Sequence, residues 1–147
     1  MENCTPDQLN ICWIDPGRNE TSLYKGTPFC PIDSVVDMGD AYGLMEYLDR
    51  EMNRRHNMID RVCASNIDEF NMWVEDNPVI AGEKGLKTIP YIVVAINDYA
   101  DMVAQSPQVE EPILNLVQKA HTVGIHLIVV TQRPSATIIS RDIKDNL

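Results

Sequence analysis

Hydrophobic positions fall into three short apolar runs and two long periodic stretches, and that order predicts the architecture. Tyr91–Ile96 (Y-I-V-V-A-I) is apolar without a break, and four of its side chains, counting Ile and Val, are β-branched. Such a run fits a strand buried on both faces, as in the middle of a parallel sheet. Leu9–Ile14 (L-N-I-C-W-I) is a second strand candidate, stopped by Asp15-Pro16-Gly17. Ile125–Val130 is a third, and it ends in Thr131-Gln132-Arg133-Pro134. Between the first two, Asp40–Arg61 has helical spacing, with Leu44, Leu48, Met52, Ile59 and Val62 inward and Met45 and Tyr47 on the flanks. Ser65–Val74 is a shorter helix, with Ser65 or Asn66 as N-cap and Ile67, Phe70 and Val74 along one side.

Between the last two strands, Tyr99–Gln108 reads as a loop or frayed turn. A helix then runs to about Val123, with prolines 107 and 112 near its start and Gly124 as its stop. Two apolar strands joined by a helix of this length form a βαβ unit, giving an α/β fold with a parallel sheet. The polar ends Asn97-Asp98 and Thr131-Gln132-Arg133 should therefore emerge at one edge of that sheet. Segments 18–37 and 76–88 read as loops. Gly85–Thr88 (G-L-K-T) lacks the spacing of a phosphate-binding loop and precedes a strand instead of following one.

Acids at the carboxyl end of a buried strand lie where open α/β sheets bind ligands. Asn97, Asp98 and Asp101 follow the central run directly. In nucleotide-hydrolysing motors an Asp at such a place helps hold Mg²⁺, and a neighbouring acid orients the attacking water. The plainer alternative is a strand ending in a polar turn.

Composition narrows the partners. The chain has 147 residues, enough for one domain, with 44% apolar and 23% charged residues. A net charge of −10 opposes sequence-independent binding of nucleic acid or anionic lipid by the surface as a whole, so any DNA contact would be local. No apolar run is long enough to span a membrane, and no secretory signal is visible. Cys4, Cys12, Cys30 and Cys63 are scattered, with no zinc spacing, and read as reduced thiols of a cytosolic protein. His56, His121 and His126 show no ligand spacing either. The cluster Arg50, Arg54, Arg55, His56 and Arg61 reads as a solvated helix face, because acids are interleaved with it, over a phosphate-facing patch.

Three stretches together resemble the motor domain of FtsK/SpoIIIE-type DNA translocases. They are P-Y-I-V-V-A-I-N-D-Y-A-D-M, the run from V-E-E-P-I-L to G-I-H-L-I-V-V-T-Q-R-P-S, and I-I-S-R-D-I-K-D-N. I-D-P-G-R-N-E-T-S-L-Y-K-G-T-P and L-D-R-E-M-N-R-R extend the likeness over nearly the whole chain, and T-Q-R-P after G-I-H-L-I-V-V is its most specific part. The resemblance implies a partial RecA-like P-loop NTPase fold, a three-layer α/β domain with a mostly parallel sheet and helices on both faces. It implies hexameric, ATP- and Mg²⁺-dependent pumps of double-stranded DNA, serving chromosome partition, cell division, sporulation or conjugation. The family's phosphate-binding loop would lie upstream of this chain. Its last core strands and winged-helix DNA reader would lie downstream, and its members are often tethered to the inner membrane by a region absent here.

By the same resemblance Asn97 stands at the Walker B magnesium position and Asp98 at the catalytic Glu position. A one-residue slip would put Asp98 and Tyr99 there instead, and the match of Y-A-D to the family's F-A-D argues against it. An amide ligates Mg²⁺ more weakly than a carboxylate, and Asp is one methylene shorter than Glu. Gln132 is placed to sense the γ-phosphate. Arg133 and Lys144 match positions facing DNA in the central channel, where cations contact phosphate without reading sequence. The alternative for that pair is exposed ion pairing with Asp142 or Asp145. Gly17 replaces the Lys common after I-D-P. The readings left open are a motor segment without ATPase of its own, a non-catalytic assembly module derived from that motor, and, less favoured, a related motor of protein secretion.

Overall fold

The computed structural model describes residues 4–15, 26–32, 34–131 and 141–145. Three strands form a parallel sheet in the order β1 (Leu9–Ile14), β2 (Tyr91–Ile96), β3 (Ile125–Val129). Between β1 and β2 lie α1 (Met38–Asp60), α2 (Ile67–Asp76) and α3 (Pro78–Glu83). Between β2 and β3 lie α4 (Tyr99–Gln105), a 3-10 turn at Pro107–Val109, α5 (Glu110–Lys119) and a second 3-10 turn at His121–Val123. A four-residue helix, α6 (Arg141–Lys144), places Ile143 in the core beside α5. The α/β class and the parallel sheet are those expected.

Alternation along the strands decides where the core sits. Cys12, Ile14, Ile92, Val94, Ile96 and Ile125 share one face and are buried against the helices in a continuous apolar cluster. On the other face Ala95 is buried, Ile11, Trp13 and Val93 are half-buried, and Ile128 is 52% exposed. The expectation that β2 is buried on both faces therefore holds only in part. Tyr91 on that second face stacks on His126, with ring centroids 5.9 Å apart, and its hydroxyl donates to Asp68. The outer edge of β1 is covered: Ile11 N–H donates to Phe29 O, and Val35 bridges to Ile14.

Capping chemistry sets the helix starts. Asp37 accepts from Gly39 N–H at 2.8 Å to open α1, and Asn66 accepts from Glu69 N–H at 3.0 Å to open α2. Met45, expected on the flank of α1, is fully buried, while Tyr47 stays exposed. Two loop expectations are corrected. Pro78 starts α3, since its fixed φ suits the first helical position, and Gly85 at φ +65 follows the helix end. Tyr99 and Met102, three apart, bury into the core and wind α4 out of the stretch expected as a loop. The expected helix running to Val123 splits into α5 and a 3-10 turn.

Arg55 is a further correction. It is 1% exposed and does not belong to a solvated face. Its Nε donates to Glu51 at 2.8 Å and its Nη1 to the Val123 carbonyl at 3.0 Å. Arg54 stays half-exposed and also pairs with Glu51, at 2.7 Å. Among the described residues no disulfide forms: Cys12 is buried, Cys30 half-buried, and Cys4 and Cys63 are exposed.

Candidate functional site at the strand ends

Parallel register aligns Ile14, Ile96 and Val129, so the three strands stop at one edge. The residues that follow are stitched together there. Asn97 N–H donates to Ile14 O at 2.8 Å, Val130 N–H to Ile96 O at 2.8 Å, and Tyr99 N–H to Val130 O at 3.1 Å. The predicted convergence of the ends of β2 and β3 is thus present as far as Val130. Gln132 and Arg133 lie outside the described residues.

The edge also carries an acid that reads from the sequence only as part of a turn. Asp15 follows β1 and is fully buried. Asn97, half-buried, donates from Nδ2 to Asp15 Oδ1 at 3.2 Å. An ionised carboxylate only accepts, so the amide must present its NH₂ to it. Asp15 N–H in turn donates to Val35 O at 2.9 Å, which pins the loop before α1 to the same edge. The signal that could have found Asp15 was its position, one residue past an apolar strand, the same position Asn97 holds after β2.

Asp98 is half-buried and adopts the left-handed conformation, φ 51 and ψ 48. Asp tolerates that region better than most residues, yet non-glycine residues there are uncommon and concentrate at functional turns. The conformation breaks β2 and starts α4 within one residue. The backbone carbonyl of Asp98 accepts from Asp101 N–H at 2.9 Å and Met102 N–H at 3.1 Å. Its side chain makes no capping bond, so the carboxylate is not spent on the helix start.

Behind Asp98, Tyr99 is fully buried and its hydroxyl has no hydrogen-bond partner among the described residues. Burial, with a smaller contribution from Glu110, pushes the phenol up to about 12, so it stays neutral. Lys144 is exposed on α6, which packs against α5. Asn97 and Asp98 thus fall at one edge, whereas Lys144 is carried by a separate helix.

The donor set fits a Mg-nucleotide only in part. Asn97 keeps one amide oxygen and Asp98 a carboxylate at the edge, but Asp15 is enclosed. Among the described residues no three His, Cys, Asp or Glu side chains gather as a metal-binding group. The helix that begins there, α4, has seven residues and is preceded by an acid, which disfavours a phosphate at its start. Two cavities of about 940 and 700 Å³ lie elsewhere. The first is lined by Tyr42, Glu46, Asp49, Arg50 and Asn115 among others, the second by Leu9, Asn71, Tyr91 and His126 among others.

Comparison with known proteins places the chain in a family. The FtsK/SpoIIIE family model matches residues 2–136. A DNA translocase FtsK from Vibrio parahaemolyticus is 34% identical over 164 aligned positions, which cover 100% of this chain and 16% of that protein. One from Pseudomonas putida is 35% identical, over 97% of this chain and 19% of that protein. The chain thus spans under a fifth of the length of these relatives. Among solved structures, EssC (ATPases 2 and 3) from Geobacillus thermodenitrificans superposes with a TM-score of 0.81 at 19% identity, covering 98% of this chain and 25% of that one. The pCW3 conjugation coupling protein TcpA, with ATPγS, gives 0.72 at 22% identity, covering 96% and 39%. These structures share the fold. With its family profile matched over most of its length and relatives above 30% identity along all of it, the chain belongs to the FtsK/SpoIIIE family.

Proposed function

We propose that this chain is a segment of an ATP-driven double-stranded DNA translocase motor and contributes the Walker B strand end, with Asn97 at the magnesium position and Asp98 at the water-orienting position. The observation that carries the reading is the strand edge itself, where a left-handed Asp98 and an Asn97 tied to a buried Asp15 follow the central strand. ATP and Mg²⁺ are the implied cofactors, other motor subunits in a hexamer and double-stranded DNA the implied partners, and the cytoplasm the implied compartment. Gln132 would sense the γ-phosphate, and Arg133 and Lys144 would contact DNA phosphates. No helix among the described residues is long and apolar enough to cross a membrane.

By itself the chain does not turn over ATP in this reading. No G-x-x-x-x-G-K-[ST] loop occurs in its sequence, so the backbone amides and lysine that cradle a triphosphate are missing. A second reading, a non-catalytic assembly module that docks onto intact motor subunits, is favoured by the amide at position 97, which brings no charge to a cation. A phosphate-release assay with Mg-ATP and linear double-stranded DNA tests the first point, and turnover above background by the purified chain overturns it. Co-purification with an FtsK motor subunit that binds ATP separates the two readings: restored DNA-dependent turnover in the mixture supports the motor segment, and binding without turnover supports the module.

A further inference from the structure

The contact between Asp15 and Asn97 has a consequence for the metal. Asp15 is wholly buried, and a buried carboxylate needs donors or a cation around it. Asn97 is one of its partners, with Nδ2 at 3.2 Å from Oδ1. A carboxylate at position 97, the residue that the family resemblance places there, would set two negative charges at this separation. At 3–4 Å two like charges repel strongly unless a proton or a cation lies between them.

We infer that the amide of Asn97 removes the like-charge repulsion that a divalent cation would otherwise have to relieve at this edge, so that the contact between Asp15 and Asn97 does not require Mg²⁺. Asp15 is then the positioning residue: by accepting from the amide NH₂, it fixes the rotamer of Asn97 and leaves Oδ1, a neutral carbonyl oxygen, as the atom turned from the pair. Because the amide carries no charge, the pair holds one negative charge instead of two, and a divalent cation has correspondingly less to gain there. The inference deepens the motor reading and rests on it for the identity of the cation. The amide–carboxylate pairing itself comes from the geometry.

Three proteins test it by thermal unfolding, with MgCl₂ titrated at constant ionic strength. The chain itself should show a melting temperature that MgCl₂ leaves unchanged. Asn97→Asp should melt about 5–10 °C lower without metal and recover most of that loss as Mg²⁺ is added. The exchanged double variant Asp15→Asn/Asn97→Asp restores one amide and one carboxylate with their roles reversed. It should melt close to the original and lose the Mg²⁺ response, an outcome that a merely steric role for Asn97 would not produce. If Asn97→Asp fails to fold, the double variant decides, because a folded, Mg²⁺-insensitive double variant supports the pair and an unfolded one overturns it. Asn97→Asp as stable as the original without metal, or an original chain stabilised by Mg²⁺ as much as Asn97→Asp, overturns the inference. Both failures leave the motor reading standing, since that reading is judged by nucleotide turnover with partner subunits.

Discussion

The guanidinium of Arg55 reaches the carbonyl of Val123, 68 residues further along the chain and 3.0 Å from its Nη1. This bond ties the last third of α1 to the turn that feeds β3. Glu51, one helical turn back, holds the same guanidinium at 2.8 Å and leaves it enclosed with a fixed orientation. Burial lowers the affinity of Arg55 for its proton, and the Glu51 hydrogen bond and charge offset that in part. Burial likewise pushes the Glu51 carboxyl up, but hydrogen bonds from Arg54 and Arg55 outweigh it and leave it below its ordinary value of 4.5.

Removing the carboxylate should strand a buried cation. Glu51→Gln is expected to destabilise the chain by about 3 kcal/mol at neutral pH, measured by urea unfolding. The pH dependence follows from the sign of the shift. A carboxyl whose folded value lies below its unfolded one contributes stability above about 4.5 and loses it as pH falls through the folded value. The gap between the original and Glu51→Gln should therefore narrow steadily on acidification below that point. A gap that stays constant down to pH 3 would mean that the pair does not stabilise through charge.

Arg55 also shows why part of the fold was legible in the sequence and part was not. Ala41, Leu44, Leu48, Met52 and Ile59 are buried on one stripe of α1, and Arg55 falls in that stripe between Met52 and Ile59. Its position marked it as inward. Its charge, and the acids beside it, suggested solvent. The partner that settles the matter, Val123 O, is remote in sequence, so nothing local revealed it. The strands, by contrast, were readable because apolar runs of five or six residues bounded by polar turns have few other uses. α3 is hidden in the sequence because Pro78 and Gly82 read as loop residues, although Pro suits a first turn. At the site, the end of β2 stood out through its acids. Asp15 did not, since an Asp before Pro-Gly is common turn chemistry, and only the register of β1 against β2 brings it to Asn97.

The buried hydroxyl of Tyr99 gives a second prediction. It has no partner among the described residues and sits in a fully enclosed place. An unsatisfied buried hydroxyl costs about 1–3 kcal/mol, so Tyr99→Phe should raise the melting temperature and not lower it, by an amount worth about 1 kcal/mol. A clear loss of stability would show that the hydroxyl is hydrogen-bonded in solution.

Gly124 gives a third. It has φ +74, and a Cβ built there would overlap Ile67 Cδ1 and come within 3.1 Å of Tyr91 Cδ1. Its carbonyl also accepts from Ile92 N–H at 2.8 Å, at the first rung between β2 and β3. Gly124→Ala combines backbone strain with crowding of α2 against the sheet, and should cost about 2–3 kcal/mol in equilibrium unfolding. A cost below about 0.5 kcal/mol would mean that the turn relaxes freely.

Asp98 allows its backbone and side-chain roles to be separated. With φ 51, replacement by Gly relieves strain, whereas replacement by Val forces a β-branched residue into the left-handed region at a cost of about 1–2 kcal/mol. Asp98→Gly should therefore fold at least as well as the original while removing the carboxylate from the edge, and Asp98→Val should be the less stable of the two by thermal melting. Equal stabilities would show that the left-handed turn is not held in solution.

The most direct test of the motor-segment account is titration calorimetry of the chain with Mg-ATP, run with and without a double-stranded DNA fragment at low salt. The account predicts no saturable heat from Mg-ATP in either case, because the strand edge has one amide, one half-buried carboxylate at Asp98 and no cradle for the phosphates among the described residues. Saturable Mg-ATP binding would contradict it. The phosphates would then be held by residues not recognised here, and Asn97 and Asp98 could no longer be read as an incomplete half of the site.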